Sequence, residues 1–201
     1  RWELFEMAPM SKNVLLVDGV GITRPAAVTT RTLRTPWGPG VRLDAAAALG
    51  GGRRDNDGVV RYYRLILVMP GRGLLILDTV KRPHASLFEQ RFFTPVRAVP
   101  QPGGFMLPGA RQTAAFACAC SEAADLHTAA APMTQPSGEP PTMLRQITQK
   151  LHEDVVMAAL LAPGGKGVPL VLRRAPRGMI EVAIGAGARC TLRFSRDLRP
   201  R

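Results

Sequence analysis

The strongest constraint on this chain is one stretch, residues 59–80, VVRYYRLILVMPGRGLLILDTV. Two short apolar runs, at 65–69 and 74–77, flank the tetrapeptide PGRG at 70–73. Proline presets φ for a turn, and glycine takes positive φ without a Cβ clash. The spacing predicts two antiparallel strands, 59–69 and 73–80, with Leu67 and Ile76 buried. Neither run alternates strictly between apolar and polar residues, so each strand is expected to be covered on both faces, as in the interior of a stack of sheets. Both runs are far too short to span a bilayer, and no membrane insertion is expected.

The rest of the chain repeats this theme with weaker signals. NVLLVDG at 13–19 reads as a strand ending in an Asp-Gly turn. Residues 22–40 carry threonines, prolines and Trp37, and read as irregular or weakly paired. Residues 41–49 suit a strand or, through their alanines, a short helix. A loop is expected at 81–84. A strand follows at 86–94, with Phe88, Gln90 and Phe92 on one face and Leu87, Glu89, Arg91 and Phe93 on the other. Residues 95–108 can hold at most a short strand, 112–120 fits a packed one, and 121–141 reads as a flexible surface excursion. Strands at 154–161, 168–172, 179–184 and 188–194 close the chain. Only 143–152 has the pattern of an amphipathic helix, too little for a βαβ architecture. Short strands with turn signals between them predict an all-β fold, an antiparallel β-sandwich of two or more packed sheets. At 201 residues, one domain spanning 1–201 is the simplest count.

The charge balance, 27 Lys and Arg against 15 Asp and Glu, gives a net +12. Such an excess suits a polyanionic partner, although genomic bias toward arginine and alanine produces the same composition. No basic segment followed by an apolar one marks a signal peptide, and a fragment of a longer protein would look the same. The three cysteines cannot all pair with one another. Cys118 and Cys120 fall on one strand face, poor geometry for a mutual disulfide, and no CxxC spacing is present. They read as small core residues.

Catalytic signals are sparse. His84, His127 and His152 are scattered. The run His152-Glu153-Asp154 is at most one arm of a metal site, and more simply an exposed strand start. No HExxH, GxSxG or phosphate loop occurs, and Gly19-Val20-Gly21 lacks the context of a dinucleotide site. Tyr62 and Tyr63 could supply an acidic phenol, but paired tyrosines in a strand more simply pack. No metal and no cofactor is expected, and no catalytic residue can be named.

The order of the segments resembles a family. KNVLLVDG at 12–19 resembles the HNTVLVDG segment of heparinase II/III-like polysaccharide lyases. The likeness continues through RLILV at 64–68 and LLILDTV at 74–80, then through 84–94 and 154–163. It is weakest over 109–150. The resemblance implies the C-terminal β-sandwich of such a lyase, which follows an N-terminal α-helical toroid. It implies eliminative cleavage of an acidic, uronate-containing polysaccharide, with most acid–base residues on the toroid, and a periplasmic or cell-envelope setting. Two departures stand out. Lys12 replaces a histidine that ligates zinc in some members, and a histidine of the strand after the hairpin is replaced within Arg91-Phe92-Phe93. On this reading Lys12, Arg61 and Arg64 are the candidates for basic substrate-binding surface. Asn13, Asp18 and Asp78 serve as structural motif residues through turn and strand-end hydrogen bonds. A non-catalytic carbohydrate-binding or structural module is the first alternative, weakened by few aromatics. A basic nucleic-acid-binding protein is the second, disfavoured because the central strands are apolar rather than interleaved with basic and aromatic residues.

Overall fold

The computed structural model describes residues 13–22, 27–49, 58–131, 141–164, 167–185 and 190–201. Their regular structure is fifteen strands: β1 Val14–Val17, β2 Thr29–Thr35, β3 Gly38–Asp44, β4 Arg61–Met69, β5 Gly73–Ser86, β6 Phe88–Thr94, β7 Val99–Gln101, β8 Gly104–Pro108, β9 Thr113–Cys120, β10 Ala124–Ala130, β11 Thr142–Thr148, β12 His152–Pro163, β13 Leu170–Ala175, β14 Met179–Ile184 and β15 Cys190–Phe194. All strand pairs are antiparallel, in three sheets ordered β1-β6-β11-β10, β2-β3-β4-β5-β12-β9-β8-β7, and β13-β14-β15. The fold is all-β and sandwich-like, as expected.

The eight-stranded sheet is the middle layer, and strand alternation explains why. Leu65, Leu67, Leu75, Leu77, Val156, Ala158 and Leu160 project from one face onto Ile180, Val182, Leu192 and Phe194 of the three-stranded sheet. Tyr62, Val80, Val155 and Met157 project from the other face onto Leu15, Val17 and Phe88 of the four-stranded sheet. Phe105, Phe116 and Cys118 meet Phe92 and Leu144 on that same side. A central strand must therefore be apolar at nearly every position, which is why β4, β5 and β12 do not alternate.

The hairpin at 59–80 forms as β4 and β5, with Met69 opposite Gly73 and Arg72 N–H closing the turn onto the Met69 carbonyl at 3.0 Å. Leu67 is fully buried, whereas Ile76 is only half-buried, since the four-stranded sheet leaves its end of the hairpin partly uncovered. The loop expected at 81–84 is instead a continuation of β5. The irregular reading of 22–40 gives way to the β2–β3 hairpin. Its turn is held by Thr35 Oγ1, which accepts from the N–H groups of Trp37 and Gly38. The helical pattern near 143 belongs to β11, and the alanines near 46 make one 3-10 turn, Ala46–Ala48. Part of the stretch read as a flexible excursion is strand β10, paired with β11 over seven residues. The exposed, small side chains of this edge strand gave no apolar pattern to read. Residues 132–140, like Lys12 and the turn at 55–57, lie outside the described residues.

Cys118, Cys120 and Cys190 are all free thiols. Burial pushes the Cys118 thiol up to about 12 and the Cys120 thiol to about 11, as befits cysteines packed between sheets.

Candidate functional site

The face of the four-stranded sheet away from the core carries a mostly buried charged cluster beside the buried Val14 and Leu16, and Arg145 is its most exposed member. The register of the sheet sets Val14, Arg91, Arg145 and His127 in one row across four strands. Leu16, Glu89, Ile147 and Asp125 make the adjacent row. Glu89 is the hub. Its Oε1 accepts from Arg145 Nε at 2.7 Å and Arg91 Nε at 2.8 Å, and its Oε2 accepts from Arg145 Nη2 at 3.1 Å. Two guanidiniums on one carboxylate are held in fixed orientation, a geometry suited to a carboxylate or sulfate. Asn13 Oδ1 accepts the Phe93 N–H at 2.8 Å and ties the start of β1 to β6. Asn13 and the segment 91–93, where the resemblance expects a histidine, therefore adjoin in space.

What this cluster can do is bind rather than move protons. Burial acts to raise the Glu89 carboxyl, but the hydrogen bonds and charges of Arg145 and Arg91 outweigh it and hold the group below the usual carboxylate range. A carboxylate so held is a poor base. Its depressed pKa contributes stability that is present above the unfolded value of about 4.3 and lost as pH falls through the folded value. The stability advantage of the wild type over Glu89→Gln is therefore expected to be level above about pH 5 and to shrink on further acidification. Urea unfolding at several pH values checks this; an advantage that grows toward acid would refute it.

The sequence-predicted residues are dispersed. Arg64 is not a surface cation. It is 8% exposed and lies directly opposite Asp78 in the β4–β5 ladder. Arg64 Nε and Nη2 donate to the two Asp78 oxygens at 2.7 Å each. Arg64 Nη1 also donates to the Asn13 carbonyl, and Gln90 Nε2 donates to Asp78 at 2.7 Å. The buried Tyr62 phenol lies among the charges of the Arg64–Asp78 pair. Burial pushes this phenol up, further from any role as a proton donor or acceptor at neutral pH. Asp18 sits at φ 50° in the turn after β1. Its Oδ1 accepts from Leu87 N–H and its Oδ2 from Arg82, both at 2.9 Å. Arg61 projects from the opposite face of β4 and reaches Asp154 on β12 at 3.0 Å, far from the Glu89 cluster in the layering. Lys12 is outside the described residues.

His152 Nδ1 lies 3.8 Å from a Glu122 oxygen, and Asp154 belongs to the Arg61 pair, so the run 152–154 does not converge on a common point. Among the described residues no three His, Cys, Asp or Glu side chains are grouped as a metal site requires. No described helix is long and apolar enough to cross a membrane.

Sequence reasoning missed Glu89, Arg91 and Arg145 as a unit. Glu89 and Arg145 are 56 residues apart, and only the β6–β11 register brings them together.

The fold is similar to part of two solved lyases. A heparinase III superposes with a TM-score of 0.66 at 12% identity, covering 91% of this chain and 29% of that one. The heparan sulfate lyase HepC from Pedobacter heparinus superposes with a TM-score of 0.65 at 8% identity, covering 94% of this chain and 31% of that one. This chain thus shares its fold with a portion of these enzymes and spans less than a third of their length. No protein-family model and no curated protein matches the sequence.

Proposed function

We propose that this chain is the β-sandwich domain of a lyase that cleaves acidic, uronate-containing polysaccharide by β-elimination. In this reading it supports an α-helical toroid and offers Arg145, held by Glu89, to the polymer. The observation that carries the proposal is the fold match, which takes in nearly all of this chain and under a third of each lyase. The Arg-rich face adds the right charge for a uronate or sulfate. Lys12, next to Asn13 in the sequence, is kept as a candidate substrate contact. A periplasmic or cell-envelope setting follows from the same reading. The chain by itself is expected to bind and not to cleave, because the acid–base residues of such lyases lie mainly on the toroid.

Titration with heparin and with a neutral glucan tests the binding half. Heparin is expected to bind weakly and to lose about tenfold in affinity between low and high salt, as exposed charges are screened. Arg145→Ala is expected to weaken binding at low salt by a few-fold, the worth of one partly screened charge. Equal affinity for both polymers would remove the basis for a charged face. An ultraviolet assay for unsaturated uronate tests the other half, and product from the isolated chain would place a catalytic group within it.

A further inference from the structure

A second cluster of arginines lies on the opposite side of the central sheet, unrelated to the Glu89 face. Between β4, β5 and β12 on one wall and the β13–β14 connection on the other is a cleft of about 70 Å³. Its polar lining includes Arg61, Thr79, Asp154, Arg174 and Arg196, and Gly178 forms part of its wall. That volume holds a few water-sized groups and excludes a sugar ring.

Three features of the cleft are unusual for a purely structural ion-pair network. The first is charge: three guanidiniums, those of Arg61, Arg174 and Arg196, stand against two carboxylates, Asp154 in the lining and Glu122 at 3.4 Å from Arg174, an excess of one positive charge. The second is a vacant donor. Arg61 spends Nη2 on both Asp154 oxygens at 3.0 Å, while its Nε is buried with no acceptor among the described residues. A buried donor left unpaired is costly, so the site favours an acceptor. The third is the placement of Arg196. Its backbone is fastened by Thr79 Oγ1, which donates to the Arg196 carbonyl at 3.0 Å. Its guanidinium lies over Gly178, where an added Cβ would stand 2.6 Å from Nε. Arg196 has no carboxylate within ion-pair distance among the described residues. Arg174, the third cation, is steered by the Asp154 backbone carbonyl and lies 3.7 Å from the Asp154 carboxylate.

We propose that this cleft binds one tetrahedral oxyanion, sulfate or phosphate, either free or as the terminal ester of a larger molecule. The excess of positive charge and the unpaired Arg61 Nε both favour an anionic acceptor. The four spaced oxygens of a tetrahedral oxyanion match the paired N–H donors of guanidinium forks, which the single centre of a halide does not. The proposal does not depend on the lyase reading.

The test is a titration of the wild-type chain with sodium sulfate, sodium phosphate, and glucosamine 6-sulfate against glucosamine. Ionic strength is matched with sodium chloride, and backbone amide shifts around 154 and 173–179 are followed by NMR. Matched chloride and saturation behaviour separate binding from the general salting-out effect of sulfate. Arg196→Ala is expected to weaken binding about tenfold or more, the worth of a charge-assisted hydrogen bond. Arg31→Ala, which removes an exposed cation of β2 that does not line the cleft, is expected to bind like the wild type. Saturation by free sulfate or phosphate assigns the site to the free ion. Saturation by glucosamine 6-sulfate alone, with the same loss in Arg196→Ala, assigns it to an ester. No saturable change with any of these anions, or equal binding by Arg196→Ala and Arg31→Ala, overturns the proposal.

Discussion

Asp78→Ala is expected to destabilise the protein by about 3–5 kcal/mol, the usual cost of breaking a buried ion pair from one side. Asp78 is fully buried and accepts from Arg64 and Gln90. Removing it leaves a guanidinium and an amide without their acceptor between two sheets. The pair itself need not be strongly favourable, because desolvation offsets most of its attraction. The double variant Arg64→Met with Asp78→Leu is therefore expected to recover roughly half of the loss or more. Urea unfolding of the three variants and the wild type measures both effects. A loss under about 1 kcal/mol for Asp78→Ala would mean that water reaches the pair.

Gly73→Ala should cost a comparable amount, about 3 kcal/mol or more, by overpacking and backbone strain together. Gly73 opens β5 at φ +130°, and a Cβ built there would stand 2.0 Å from the Leu161 carbonyl oxygen on β12. That obstacle is backbone in the β5–β12 ladder and cannot rotate away. Gly71→Ala, two residues earlier in the same turn, meets nothing within 4 Å and carries only the left-handed φ of +71°. It is expected to cost about 1–2 kcal/mol. Thermal unfolding of both variants separates the two causes. Equal losses would show that conformational strain, not the close approach of β12, dominates at position 73.

The central hairpin was legible because a proline-glycine turn and two apolar runs are local signals, each with a direct backbone cause. Glu89, Arg91 and Phe93 were correctly separated from Phe88, Gln90 and Phe92, since strand alternation needs no knowledge of the partner. The edge strands β2 and β10 were not legible. β2 is open on both faces over most of its length and β10 is largely exposed, so selection for burial leaves no periodic mark on them.

Arg64 shows the limit most clearly. An arginine in an apolar strand, preceded by two tyrosines, reads as a surface cation until its cross-strand neighbour is known. The neighbour is Asp78, already singled out as a motif residue, but the ladder that sets the two opposite each other is not written at either position. By itself the sequence determined an all-β chain with an apolar central hairpin and an excess of positive charge, because turn chemistry, hydropathy and composition are local properties. Only the tertiary structure decided which arginines are buried, which cluster around Glu89 and which line the cleft beside Asp154. Those depend on strand register and sheet stacking, which bring together side chains that are far apart in the chain.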